Sequence, residues 1–119
     1  MKIEVKTVSD FEKALIFPKE YEHSTSIREI KGNFENAKKI LSPFKDGKFF
    51  VTNNSYEWFV FEIPNKVKIL FYPHKTISTG NVNTRARNQS SKDKVLFEKV
   101  KSALEFAGID SFHFKFKYK

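Results

Sequence analysis

Side chains that suit phosphate binding are concentrated in residues 73–94, between a strand-like apolar run and a helix-like segment. Arg85 and Arg87 carry forked guanidinium groups, whose geometry suits bidentate contacts with phosphate oxygens. Ser90 and Ser91 stand at the predicted start of the helix, where free backbone N–H groups and the helix dipole favour an anion. The stretch therefore predicts a site for phosphate.

Residues 73–90 are predicted to form one long basic loop. No Asp or Glu occurs from Ile63 to Lys92, and a connection of this length in a compact domain is usually either functional or disordered. The small polar side chains of the loop are of the kind that contact phosphate and sugar. The loop contains neither a Walker A sequence nor G-x-G-x-x-G, so no nucleotide-binding motif accompanies it. A solvated polar loop without a ligand is the alternative.

The last eight residues alternate strictly, as the residues of a half-buried strand do. Aromatic residues occupy positions 112, 114, 116 and 118, whereas His113 and three lysines occupy the positions between and after them. The lysines either extend the basic surface of the loop or guard an exposed sheet edge against aggregation. The predicted phosphate or nucleic-acid contacts are Lys75, Thr79, Asn81, Arg85, Arg87, Ser90, Ser91, Lys92, Lys115 and Lys117, of which the last two belong to the first alternative.

Residues able to catalyse a reaction are few. His74 follows the last strand of a predicted meander and is a candidate general acid or base. With Arg85 or Arg87 stabilising the developing charge, it would suffice for metal-independent cleavage of RNA. Glu29 and Lys31 have the E-x-K spacing of restriction-type nucleases, but no acidic partner accompanies them. We therefore expect binding rather than catalysis, with His74 as the one catalytic candidate.

Composition restricts the chemistry further. The chain has no cysteine and only three, widely separated histidines, which argues against disulfides, thiolate metal sites and sites built from several imidazoles. We predict no metal and no cofactor. The start of the chain, MKIEVK, lacks an apolar stretch of signal-peptide length, and no segment resembles a membrane span. We expect a soluble cytoplasmic protein that does not contact a membrane.

Positive charge is distributed unevenly along the chain. The whole sequence has 22 basic and 14 acidic residues, a net charge of +8, and residues 72–119 hold 10 of the basic residues but only 4 of the acidic ones. An excess confined to one part of a chain favours a polyanionic partner, such as nucleic acid, or an acidic protein surface.

Hydrophobic periodicity predicts an α+β domain over residues 1–119, in the order β-α-(β?)-α-β-β-β-α-β. A mostly antiparallel sheet of four or five strands carries two or three helices, packed mainly on one face. The strands of the central meander are predicted over residues 48–52, 56–63 and 67–72. Aromatic residues on both faces of the middle strand favour a central position in the sheet, covered on both sides at least in part.

Capping residues predict where the helices begin. The first helix is predicted to start with a capping box of Ser9 and Glu12. The second is predicted to start at Asn33, with residues 27–31 forming either a strand or the lead-in to this helix. The third has Ser90 as its predicted N-cap and Gly108 as a left-handed stop. Its predicted apolar stripe consists of Leu96, Val100, Ala103, Leu104 and Ala107.

The predicted element order is similar to that of the small ribonuclease toxins of the RelE type, which run β-α-α-β-β-β-α and use basic residues near the last strands. The final strand and the long loop depart from that order, and no motif matches residue by residue. The resemblance therefore assigns no catalytic residue.

Three functions remain open from the sequence. The first is a small basic protein that binds nucleic acid, RNA or a single strand ahead of duplex DNA, with contacts directed mostly to the backbone. The second is a protein–protein interaction module, a regulator or inhibitor of an acidic or nucleic-acid-handling partner. The third is a ribonuclease that uses His74. The oligomeric state is left open.

Overall fold

A computed structural model describes residues 2–15, 27–52, 57–64, 66–72, 78–79, 91–109 and 112–116. The elements in chain order are β1 (Lys2–Val5), α1 (Val8–Ala14), α2 (Ile27–Leu41), β2 (Lys48–Thr52), β3 (Phe59–Ile63), β4 (Val67–Phe71), β5 (Ser78–Thr79), α3 (Ser91–Phe106) and β6 (Phe112–Phe116). The sheet has the spatial order β1-β2-β3-β4-β6-β5, in which β5 pairs in parallel with β6 and all other pairs are antiparallel. The predicted α+β class and mostly antiparallel sheet are confirmed.

The core lies on one face of the sheet and is built mainly from aromatic rings. Phe11 of α1 and Phe34 of α2 stack with their centroids 4.3 Å apart, and both meet the ring of Phe59 of β3 edge-on. Phe97 of α3 contacts Phe114 of β6 at 5.4 Å. Each edge-to-face pair adds roughly 0.5–1.5 kcal/mol to the burial of its rings. The three described helices therefore pack on the same face; we call the opposite face the open face.

The middle of the meander has buried residues on both faces. Phe59 faces the helices and is fully buried, and Val60 faces the other way and is also fully buried. The predicted central position of this strand is confirmed. The strand starts at Phe59 rather than at Tyr56. Trp58 and Phe59 both belong to the core cluster, so the strict alternation of faces does not extend back to Trp58.

The first helix starts two residues earlier than predicted. Thr7 is the N-cap: its Oγ1 accepts a hydrogen bond from Asp10 N at 3.1 Å, and Asp10 Oδ2 accepts one from Thr7 N at 3.1 Å. Asp at the third position closes the capping box as Glu does, so Ser9 and Glu12 are not needed for it. The earlier start places Phe11 and Ala14 in the core.

The second helix is longer than predicted, since α2 continues through Gly32 and Asn33 back to Ile27. The interpretation of residues 27–31 as a strand, and of Asn33 as an N-cap, is wrong. Ile30 continues the buried stripe formed by Phe34, Ala37 and Leu41 by one further turn. Burial of Ile30 offsets the cost of about 1 kcal/mol for glycine inside a helix.

The third helix agrees with its prediction. Val100 and Leu104 are buried, and the other residues of the predicted stripe are partly buried. The chain leaves the helix at Gly108, whose φ of +84° is the left-handed conformation of a C-terminal stop. Within the described ranges, no helix is long and apolar enough to cross a bilayer.

Candidate functional site

The open face places the charged ends of several strands side by side. At one end of the sheet, the register sets Lys48 of β2 opposite Glu62 of β3, Glu62 opposite Lys68 of β4, and Lys68 opposite Lys115 of β6. We call these four residues the basic row. Like charges directly opposite each other destabilise an antiparallel pair. The register of β4 and β6 thus sets two lysines at directly opposite positions, with a single acidic residue in the basic row.

The carboxylate of Glu62 contacts the ammonium groups of Lys2 and Lys68. Lys2 Nζ donates hydrogen bonds to both carboxylate oxygens, at 2.9 and 3.0 Å, and Lys68 Nζ lies 3.7 Å from Oε1. Lys2 reaches Glu62 across the ring of Phe50, with its Nζ 4.8 Å from the ring centroid. The carboxylate is largely buried beneath these cations, with a side-chain exposure of 13%. Its charge is thus already neutralised, and it does not repel an incoming anion as a free carboxylate would.

The centre of the open face does not offer a contact surface. Val60 and Leu70 pair with each other in the row next to the basic row, and they are 0% and 4% exposed. In contrast, the Lys48 side chain is 57% exposed and that of Lys68 is 29% exposed. The side chains of Lys48 and Lys68 in the basic row are therefore accessible to an anion.

Beyond Leu70, the open face carries a tyrosine–histidine pair. Tyr72 Oη and His113 Nδ1 are hydrogen-bonded at 3.2 Å. Burial raises the pKa of Tyr72, and the nearby carboxylate of Glu57 raises it further, so the phenol remains neutral at physiological pH. The sequence indicates no partner for His113; the sheet supplies one, because β4 and β6 are neighbours.

Part of the predicted loop is attached to the last strand. Ser78 and Thr79 form β5, which pairs with Phe112 and His113 of β6. The structure thus pairs the predicted site residue Thr79 with His113, which lies two residues before Lys115 along β6. It also corrects the interpretation of the last strand as a sheet edge, because β6 lies between β4 and β5 over these residues.

The remaining predicted site residues are distributed as follows. Ser91 and Lys92 are the first two residues of α3, as predicted. Outside the described residues lie His74, Lys75, Asn81, Arg85, Arg87, Ser90 and Lys117. Their roles stay predictions.

The nuclease alternatives gain no site from the described residues. Glu29 and Lys31 lie on α2, not on a strand as a restriction-type E-x-K pair would. In the described ranges no three His, Asp or Glu side chains are grouped closely enough to hold a metal ion.

Sequence reasoning missed Lys2, Lys68 and Tyr72 because their roles depend on strand pairing. A single lysine in an alternating strand predicts a solvent-facing position, but it does not predict which residues lie beside it on the neighbouring strands. Only the order β4-β6 makes Lys68 the neighbour of Lys115, and these strands are more than 40 residues apart in the chain.

Comparisons with known proteins find no relative. No protein-family model matches this chain, and neither a curated protein nor a solved structure matches it. Evidence for the function therefore comes from the fold and the site of this chain.

Proposed function

We propose that this protein binds nucleic acid, with RNA or another single strand favoured over duplex DNA, through the basic row and the adjoining loop of residues 73–90. The observation that supports this most directly is the pairing of Lys68 with Lys115 on the open face. Lysines at directly opposite positions of an antiparallel pair disfavour that pairing in the absence of a ligand. An anion bound between them would remove that cost, and a phosphate diester supplies such an anion.

The charge around the basic row supports an extended anion. Four lysines, Lys2, Lys48, Lys68 and Lys115, accompany two glutamates, Glu4 and Glu62. Both glutamates already lie within 4.0 Å of lysine ammonium groups. The net charge of +2 is spread over five neighbouring strands, from β1 to β6. A phosphodiester backbone has regularly repeated charges that suit such a row.

The attachment of the loop extends this surface. β5 leaves Thr79 beside His113, two residues from Lys115 on the neighbouring strand. The predicted contacts Arg85 and Arg87 follow β5 within the same loop. Phosphates bound by the basic row and by the loop would then belong to one strand of nucleic acid.

The expected contacts are directed to the backbone rather than to bases. The outer side of α3, the longest described helix, mixes Lys94 and Lys99 with Glu98 and Glu105, a poor match for reading a groove. Trp58 is 4% exposed and belongs to the core, so it is not a platform for stacking bases. Affinity should therefore depend on salt more than on sequence.

The test is fluorescence-anisotropy binding of a labelled single-stranded RNA and of a DNA duplex, at about 50 and 200 mM salt. Two double variants are compared with wild type: Lys68→Gln/Lys115→Gln in the basic row and Arg85→Gln/Arg87→Gln in the loop. Lys99→Gln/Lys101→Gln, on α3 beyond its first turn, is the matched control with the same loss of charge.

For two lost phosphate contacts with a single strand, the slope of log affinity against log salt should become shallower by roughly 1.4. Both test variants should show this change, and the α3 control should keep the wild-type slope. Absence of binding at low salt would refute the proposal. Equal weakening by all three variants would mean that only the net charge of the chain matters.

A second candidate function is a protein-interaction module, favoured by two exposed apolar side chains on α3. Phe106 is 96% exposed and Val95 is 55% exposed. Their spacing of eleven residues places them on the same side of the helix. Lys94, Lys99, Glu98 and Glu105 surround these two side chains, so a partner with an apolar patch and charges of both signs would fit this side. The test is affinity capture after nuclease treatment: a partner retained by wild type but lost by Val95→Ser/Phe106→Ser would support this function, and identical capture by both proteins would contradict it.

A further inference from the structure

A second basic surface lies at the same end of the sheet but on the side of the helices. It is a cleft of about 850 Å³ where β1 and β3 end and β2 begins, next to the C-terminal turn of α2. This volume is within the range of small-molecule sites, roughly 300–1,000 Å³. Its charged lining residues are Lys6, Lys38, Lys45, Lys48, Lys66, Glu4 and Asp46. Five lysines against two acidic residues give this small concavity a net charge of +3.

The floor of the cleft is apolar. Val5, Leu41 and Phe61 are each 2% exposed and form part of it, whereas Phe44 on the wall is only half-buried. An aromatic ring on an accessible wall offers a flat contact for a planar group. Ser42 is the one side chain with an amide or hydroxyl group among the described lining residues. The cleft can thus hold a flat apolar group but has few donors and acceptors to distinguish one base from another.

The lysines of the cleft divide into two groups. Lys38 Nζ donates a hydrogen bond to the carbonyl of Lys6 at 2.6 Å, which ties α2 to the end of β1. Lys6 and Lys48 each lie 4.0 Å from Glu4, at the outer limit of an ion pair. Lys45 and Lys66 are exposed and make no ion pair with any described residue. Lys38 has a structural role and Lys6 lies beside Glu4. Lys45 and Lys66 have ammonium groups available to an anion, and so does Lys48, because its ion pair with Glu4 is long.

The segment that carries Lys45 is held in place before any ligand arrives. Phe44 N donates to the carbonyl of Leu41, and Gly47 N donates to the carbonyl of Phe44, both at 3.0 Å. The absence of a side chain at Gly47 lets the ring of Phe61 lie directly against the turn. A pre-formed turn loses little conformational entropy on binding, which favours affinity.

We propose that this cleft binds a nucleoside polyphosphate. The phosphates lie among Lys45, Lys48 and Lys66, because ammonium groups bind phosphate as point charges and several of them match several negative charges. The base rests on the wall formed by Phe44. Since polar groups that would read a base are few, ATP and GTP bind with similar affinity. The site is separate from the basic row, although Lys48 borders both.

The test is titration calorimetry of wild-type protein with ATP, GTP, inorganic triphosphate and adenosine, together with amide shifts in ¹H–¹⁵N spectra. ATP and GTP should bind alike, inorganic triphosphate more weakly and adenosine most weakly. The amides of Lys45, Gly47, Lys48 and Lys66 should shift with ATP. Lys45→Gln/Lys66→Gln should raise the Kd for ATP about tenfold or more, the loss expected for a charge-assisted contact. Both lysines are exposed and unpaired among the described residues, so this variant keeps its fold.

Lys99→Gln/Lys101→Gln is again the control, and it should change the Kd by no more than about twofold, because distant surface charges are screened. Equal weakening by the two double variants would show attraction to net charge and overturn the cleft as a site. Equal affinities for ATP and inorganic triphosphate would overturn the role of Phe44 and the nucleoside. Shifts confined to residues outside the cleft would overturn the location.

Discussion

At the scale of single residues, Gly47 makes a close contact that no other amino acid would permit. A Cβ atom at this position would lie closer than 3.0 Å to three atoms of the Phe61 ring. That ring is 2% exposed and also contacts Phe49, at a centroid distance of 4.8 Å. Gly47→Ala should therefore lower the free energy of unfolding by about 1–3 kcal/mol, the usual cost of overpacking. Urea unfolding measures it.

Gly32 provides the matched comparison, because it is also a glycine but has open space around it. It lies inside α2, and a Cβ atom there would meet nothing within 4 Å. Gly32→Ala should raise the free energy of unfolding by about 0.5–1 kcal/mol, the difference in helix propensity. Stabilisation by Gly47→Ala, or a loss with Gly32→Ala, would contradict the packing described for these two positions.

At the scale of elements, the start of α1 depends on an ionised side chain. The backbone N–H groups of Lys6 and Thr7 donate to Asp10 Oδ2 at 3.0 and 3.1 Å, and they hold the pKa of Asp10 below its ordinary value of 3.8. In acid, the unfolded state therefore binds more protons than the folded state. This contribution is present above about pH 4 and is lost as the pH falls through the folded pKa.

Asp10→Asn should remove that pH dependence. Wild type should be more stable than the variant at neutral pH, and the difference should shrink as the pH falls from about 4 to about 2. Chemical unfolding over this range, followed by circular dichroism, is the measurement. A constant difference between the two proteins at all pH values would show that the charge of Asp10 has no part in the cap.

An element can be predicted from the sequence when the residues that determine it lie within the element itself. The period of two in residues 48–52 and 67–72 and the stripe of α3 are each contained in one segment. These elements occur as predicted, with β4 ending one residue earlier at Phe71. The start of α2 is not local. Gly32 and Asn33 resemble a helix boundary, but Ile30 gains burial against the rest of the core only after the sheet has formed. Tertiary burial then outweighs the local preference.

The pairing of β4 with β6 is an element-scale feature whose cost can be measured. Lys115→Gln removes the charge of one of the two lysines at opposite positions of the register, so the free energy of unfolding should rise by about 0.2–1 kcal/mol at low salt. The gain should fall in about 0.5 M salt, where exposed charges are screened. Lys99→Gln, on α3, is the comparison and should change little. A gain independent of salt would have a cause other than charge repulsion.

At the scale of the whole molecule, the candidate surfaces are combinations of distant segments. The net charge and the acid-free stretch from Ile63 to Lys92 predict an anionic partner from sequence. They do not predict the basic row, which takes its residues from β2, β3, β4 and β6. The cleft likewise combines the end of α2, the turn before β2 and the turn before β4. Composition is a property of the chain, whereas the location of charge is a property of the fold.

The two proposed sites adjoin through Lys48, which lines the cleft and pairs with Glu62 in the basic row. Two anionic ligands bound at this end of the sheet therefore repel each other. A nucleoside triphosphate should weaken binding of single-stranded RNA several-fold at about 50 mM salt, and RNA should weaken binding of the triphosphate by the same factor, because coupling between two binding equilibria is reciprocal. The coupling should be smaller at about 200 mM salt, where the Debye length is shorter.

Anisotropy titrations of RNA at fixed triphosphate concentrations, and the converse titrations, give both factors. In Lys45→Gln/Lys66→Gln the triphosphate should lose its effect while RNA affinity without triphosphate stays near that of wild type. If the triphosphate instead displaced RNA completely in the wild type, the two ligands would share one site, and the separation of the cleft from the basic row would be wrong.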